Sequence, residues 1–265
     1  MVQTVRISLD RDNLNEEGAR FAKAPLAKPV LLNSVPKCGT HLIRNIVRMF
    51  VLPEQQYDRD FLQHAILLMH RGALDPAKPQ LSWGHLFFSD VAAVLLRDVN
   101  HIVLVRDPYD WVLARTRFFL SEQFNGNLNH IKNGAAGVRE VMNLMIFGAL
   151  DKAPSLADIF NFNGVAWLGA GAHVMRYEDI IKHLKAIETP AAEAFFRDLI
   201  CTKAGITEWP EDWKERVLIG SDRKHSGTAR EHLRHDIEVP EVLPDMQKRL
   251  VDYHAPGLRQ ILGYA

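Results

Sequence analysis

Val35-Pro-Lys-Cys-Gly-Thr-His41 holds the residue types of an oxyanion cradle. Lys37 brings a full positive charge, Gly39 lets backbone approach a ligand closely, and Thr40 adds a hydroxyl where a helix could begin. A helix start also offers unpaired N–H groups and the positive end of the dipole. A plain strand-to-helix turn with a capping threonine uses the same residues, so the segment alone leaves both readings open. Arg106, in Arg106-Asp-Pro-Tyr-Asp110, has the planar fork that grips two phosphate oxygens at once, or it is simply exposed before a turn. His85, in Trp83-Gly-His-Leu86, is of a residue type whose unperturbed side chain titrates near neutrality. The chain has 12 histidines, and most histidines are surface or hydrogen-bonded core residues, so type alone does not single His85 out.

These residues need elements to position them. Pro29-Val-Leu-Leu-Asn-Ser34 is a short apolar run after a proline, which predicts a buried strand. Leu42, Ile43, Ile46, Val47 and Phe50 then recur at spacings of three and four, predicting an amphipathic helix with Arg44, Asn45 and Arg48 on other faces. The pattern repeats at His101–Val105, followed by an apolar-periodic Trp111–Leu120, and at Ala172–Tyr177, followed by Asp179–Ile187. Shorter strands are expected at Leu81–Gly84 and Val5–Leu9. Strands alternating with helices predict an α/β fold, one domain with a central parallel sheet flanked by helices. Ligands of such sheets sit beyond the carboxyl ends of the strands, where Lys37, Arg106 and Tyr177 fall. Residues 1–28 read as a polar leader, Asn- and Gly-rich 121–165 as an acceptor-side cap, and Pro256–Tyr264 as a short terminal helix.

Composition narrows the function. Lys+Arg and Asp+Glu are 32 each, so the formal net charge is zero and nothing favours general nucleic-acid binding. Two cysteines, Cys38 and Cys201, are too few for a disulfide framework or a Cys-rich zinc site. No secretory apolar stretch opens the chain and no run approaches a membrane span, so a cytoplasmic location is expected.

Taken in order, five segments resemble the sulfotransferases that use 3′-phosphoadenosine 5′-phosphosulfate (PAPS), from about residue 29 to 264. Pro36-Lys-Cys-Gly-Thr-His-Leu42 resembles the family's 5′-phosphosulfate loop. The resemblance implies that Lys37, Cys38, Gly39, Thr40 and His41 hold that end of the cofactor. Ile102–Asp110 resembles the strand and R-[DN]-P-x-D segment whose arginine, here Arg106, holds the 3′-phosphate. Trp83–Leu86 resembles the segment that supplies the catalytic base, here His85. Val174-Met-Arg-Tyr-Glu-Asp-Ile180 resembles the Y-E-D segment, putting Tyr177 near the adenine and Glu178 and Asp179 at a helix start. Arg223-Lys-His-Ser-Gly-Thr-Ala-Arg230-Glu-His-Leu233 resembles the closing R-K-G-x-x-G segment, which implies that Arg223, Gly227 and Arg230 face the 3′-phosphate.

The resemblance implies a P-loop-like fold and transfer of a sulfuryl group from PAPS to a hydroxyl of a small or carrier-bound acceptor. Adenosine 3′,5′-bisphosphate (PAP) is the product, Lys37 and His85 are catalytic, and no metal takes part. Several positions depart from the pattern. Leu42 replaces a common Trp, Ala114 a phosphate-binding Ser, Trp83 a Lys, and Thr228-Ala229 the usual Asp-Trp. Arg115 or Thr116 could stand in for Ala114, although helical neighbours point elsewhere. Cys38 is a small residue fitting the turn or, beside Lys37, a thiol of lowered pKa. Trp83, Phe87, Phe88, Phe118 and Phe119 hint at an apolar acceptor, though core packing uses the same residues. An ATP-dependent kinase is the alternative, weakened because Lys37 precedes the only glycine of a loop that a Walker A motif would build as G-x-x-x-x-G-K-[ST]. A non-catalytic nucleotide-binding protein is the other.

Overall fold

The computed structural model describes residues 6–7, 12–126, 128–132, 134–150, 152–232 and 237–264. Among them the strands are β1 (Arg6–Ile7), β2 (Val30–Ser34), β3 (Leu62–Gln63), β4 (Leu81–His85), β5 (Asn100–Val105), β6 (Phe124–Asn125) and β7 (His173–Arg176). The first helices are α1 (Leu14–Glu17), α2 (Thr40–Arg48), α3 (Asp90–Leu95), α4 (Pro108–Leu120), α5 (Val138–Phe147) and α6 (Leu156–Asn163). Then come α7 (Tyr177–Lys185), α8 (Pro190–Arg197), α9 (Trp213–Ser221), α10 (Asp245–His254) and α11 (Leu258–Ile261). Two compact units divide the chain. One comprises Asp12–Val105 and Phe162–Ser226; the other comprises the described residues of Met1–Arg11, Arg106–Asn161 and Gly227–Ala265.

The first unit contains a five-stranded sheet in the order β3-β4-β2-β5-β7, every neighbouring pair parallel. The expected α/β class, central parallel sheet and strand–loop–helix are all present. β2 is the middle strand, and all five of its residues are buried, as a strand covered on both faces requires. Asn33 fastens it to β4 beyond the ladder: its Nδ2 donates to the Leu86 carbonyl at 3.0 Å, and its Oδ1 accepts from the Leu86 N–H at 2.8 Å. Gly84 is required where β4 meets β3, because a Cβ there would stand 2.1 Å from the Leu62 carbonyl oxygen.

Three sequence expectations need correction. Residues 12–28 are not a loose polar leader: Leu14, Phe21, Ala24 and Leu26 are buried, and Asp12 pairs with Arg48 at 2.9 Å. Their apolar positions follow no helical or strand period, so polarity dominated the pattern. The polar face of α2 is not exposed either, since Asn45 and Arg48 are buried among polar partners. Finally, Tyr177 opens α7 rather than closing β7. Of the strand expected at Val5–Leu9, Arg6–Ile7 is found as β1, antiparallel to β6; the rest lies outside the described residues.

In the second unit, the turn after Arg106 is explained residue by residue. Asp107 caps α4 by accepting from the Tyr109 N–H at 2.9 Å, and Pro108 takes the first helical position, where no N–H is needed. Arg259 grips the same carboxylate through two nitrogens, at 3.1 and 2.9 Å. No helix of the described residues is long and apolar enough to cross a membrane.

Candidate active site

The turn from β2 into α2 has two residues in the left-handed region, Lys37 at φ 66° and Gly39 at φ 98°. Glycine accepts this without cost, whereas a lysine there is strained by roughly 1–2 kcal/mol. Backbone strain of this kind clusters at active sites and ligand clamps. Gly39 is also the N-cap of α2, with no side chain to cap it. The first N–H groups of the helix, from Thr40 onward, therefore have no intrahelical acceptor. A Cβ at Gly39 would lie 2.6 Å from Cδ2 of Tyr177, so that ring closes over the loop and only glycine fits beneath it. Cys38 is fully buried and fills the turn, presenting no thiol to solvent.

Thr40 is not the capping residue that a plain turn would use. Its Oγ1 lies 2.5 Å from Oγ of Ser34, the last residue of β2. Ser34 in turn meets His85, whose Nδ1 is 2.8 Å from the Ser34 carbonyl oxygen and 3.2 Å from its Oγ. A carbonyl oxygen only accepts, so Nδ1 of a neutral His85 carries the proton and Nε2 keeps its lone pair. Asn163 Nδ2 donates to the same Ser34 carbonyl. The imidazole is thus held in one tautomer by the strand that leads into this loop.

Aromatic and cationic groups surround this ring. Phe61 meets His85 edge-on at 4.7 Å between centroids and Trp83 at 4.9 Å. Arg44 lies 4.3 Å over the Trp83 ring, and His41 touches its edge at 5.2 Å. Burial, with Arg44 and Lys37 adding positive charge nearby, lowers the His41 pKa to about 4. His41 is therefore neutral at pH 7 and offers an anion its backbone N–H and no charge.

Sequence reasoning pointed to Phe87, Phe88, Phe118 and Phe119, but their rings pack elsewhere. Phe87 faces Phe162, Phe88 faces Trp167, and both Phe118 and Phe119 face Phe124. Phe61, Ser34 and Asn163 went unnoticed. Phe61 follows Asp58-Arg-Asp60 and precedes a strand too short to show a period. Ser34 was read only as the end of a strand.

Within the first unit the structure therefore brings Lys37, Gly39, Thr40, His41, His85 and Tyr177 around one loop. Arg223 is exposed on the short 3₁₀ turn Arg223–His225 that follows α9. That turn is capped by Asp222, which accepts from the Lys224 N–H at 2.9 Å. Arg106, Gly227 and Arg230 belong to the other unit. There Arg230 makes a two-pronged ion pair with Glu241. On α4, Thr116 is fully buried and Arg115 lies 5.7 Å over the Trp111 ring, so both are engaged in packing.

Neither a protein-family model nor a curated protein matches this sequence. Solved structures do. Mouse sulfotransferase SULT7A1, in complex with PAP, superposes with a TM-score of 0.56 at 12% identity, over 94% of this chain and 88% of that one. Retinol dehydratase, in complex with androsterone and the inactive cofactor PAP, gives a TM-score of 0.47 at 13% identity, over 94% and 82%. The same protein with retinol and PAP gives 0.47 at 12% identity, over 94% and 83%. The chain shares the fold of that mouse sulfotransferase, a parallel α/β sheet with a P-loop-like strand–loop–helix.

Proposed function

We propose that the protein transfers a sulfuryl group from PAPS to the hydroxyl of a small or carrier-bound acceptor. The observation that carries the reading is the Ser34 carbonyl against Nδ1 of His85, which leaves Nε2 as a base beside a phosphate loop. The tight seat of Gly39 under Tyr177 and the N–H groups opening α2, which have no intrahelical acceptor, suit a nucleotide 5′-phosphate. Bound PAPS supplies an activated sulfuryl group whose S–O bond to the 5′-phosphate breaks, releasing PAP.

His85 Nε2 takes the acceptor proton as the hydroxyl oxygen bonds to sulfur. Lys37 neutralises the charge that grows on the departing phosphate oxygen, while the Gly39 and Thr40 N–H groups hold that phosphate. Preorganised donors are worth most here because they pay no reorganisation cost during the reaction. Tyr177 takes the nucleoside side of the loop and Arg223 the 3′-phosphate. Arg106, Gly227 and Arg230 enter the proposal through their motifs alone. Phe61 and Trp83 give the base an aromatic border, which favours acceptors with an apolar body.

Incubation with a panel of hydroxyl compounds tests the reaction class. With PAPS as donor, PAP should be released in step with an added alcohol or phenol. With ATP–Mg²⁺ as donor over the same panel, no ADP should form. ADP release with PAPS left intact would overturn sulfuryl transfer in favour of a kinase.

A further inference from the structure

Asn45 lies off the apolar stripe of α2, on its polar side, yet only 1% of its surface is exposed. Its Nδ2 donates to the carbonyl of His225 at 3.0 Å, and its Oδ1 accepts from Nη1 of Arg48 at 3.3 Å. His225 is the last residue of the turn that begins at Arg223, and it is itself 5% exposed. Arg48 is fixed by Asp12 at 2.9 and 3.0 Å and by Gln56 at 2.9 Å. Backbone packing places the same two elements together. A Cβ at Gly220 of α9 would stand 2.7 Å from both the Asn45 carbonyl oxygen and the Ile46 Cα. From the solvent side Glu17 reaches Lys224 at 3.2 Å and His225 Nε2 at 3.4 Å. The helix that opens at the phosphate loop and the turn that carries Arg223 are therefore tied by one buried side chain.

We propose that Asn45 is a positioning residue that sets the Arg223 turn against α2, so that one rigid link governs the grip on both phosphates of a single nucleotide. The inference rests on the function proposed above, in which the loop holds the 5′-phosphate and Arg223 the 3′-phosphate. A buried amide is costly unless its hydrogen bonds are made, and these are made to the turn and to Arg48. A wholly apolar residue would pack α2 as well but would leave the His225 carbonyl without its donor.

The test compares binding of PAP with that of adenosine 5′-monophosphate (AMP), which lacks the 3′-phosphate. Asn45→Leu keeps the branched shape and removes both bonds. Asn45→Asp keeps the acceptor toward Arg48 and removes the donor toward His225. Both variants should bind PAP about tenfold more weakly while AMP affinity stays within about twofold, since a lost buried hydrogen bond acts only on the displaced turn. Parallel weakening of PAP and AMP, or an unchanged preference, would overturn the proposal. Where both variants fail to fold, Asn45→Ser, smaller and still polar but too short to reach the His225 carbonyl, is measured, and an unchanged preference there overturns it too. Arg223→Ala separates this failure from that of the underlying reading. If it leaves the preference for PAP intact, the assignment of Arg223 to the 3′-phosphate is what fails.

Discussion

His85→Ala is expected to lower the sulfuryl-transfer rate by roughly 10²–10⁴ while PAP affinity stays within about twofold. The split follows from where the ring is held. His85 stands on β4 and is oriented by the Ser34 carbonyl, whereas the proposed phosphate contacts come from the loop and the first turn of α2. Removing the imidazole takes away the proton acceptor and leaves the cradle. Steady-state rates with PAPS and a competent acceptor, together with PAP titration, provide both numbers. Full turnover in the variant would remove His85 from the mechanism. A parallel collapse of PAP affinity would show instead that the ring supports the loop. Ser34 cannot be tested as simply by mutation, because its carbonyl, not its side chain, makes the shorter contact at 2.8 Å.

Lys37 gives the second large effect, and its backbone separates charge from conformation. At φ 66° the residue adopts a geometry that glycine prefers. Lys37→Gly should therefore fold at least as stably as the parent, with a gain of up to about 1 kcal/mol, partly offset by greater freedom of the unfolded chain. Lys37→Ala keeps the strain and gains nothing. Both lose the ammonium, so both should lose about 10²–10³ in rate, as when a preorganised charge-stabilising donor is removed. Thermal melts and turnover of the pair are decisive. If Lys37→Gly retains turnover, the loop backbone carries the catalysis; if it melts well below the parent, the left-handed lysine is not strained.

The readable part of this molecule was the part with a period. The apolar runs of β2 and β5 are short, bounded and followed by helical spacing, and both appear where the sequence placed them. The loop between β2 and α2 and the position of His85 on β4 followed from that frame together with the family resemblance. Buried polar residues were the illegible part. Asn45 and Arg48 looked like a solvent face because helical patterning assigns polar types outward, yet Asp12 and the 223–225 turn cover them. An amide set among Ile43, Ile46 and Val47 was the available signal. Phe61 left none, since β3 is two residues long and its pairing with β4 depends on Gly84 far along the chain. Cys38 drew attention through its chemistry, and its burial places it among the packing residues.

If the loop between β2 and α2 holds the 5′-phosphate and Arg223 the 3′-phosphate, the protein selects a 3′-phosphorylated adenine nucleotide. Isothermal titration of the purified protein with PAP, and separately with ADP and ATP–Mg²⁺, tests it most directly. PAP binding should be saturable, independent of metal and at least about tenfold tighter than binding of either comparison nucleotide, the margin expected from one charge-assisted contact to the extra phosphate. Folded protein that ignores PAP, or that prefers ATP–Mg²⁺, would contradict it and leave only the fold.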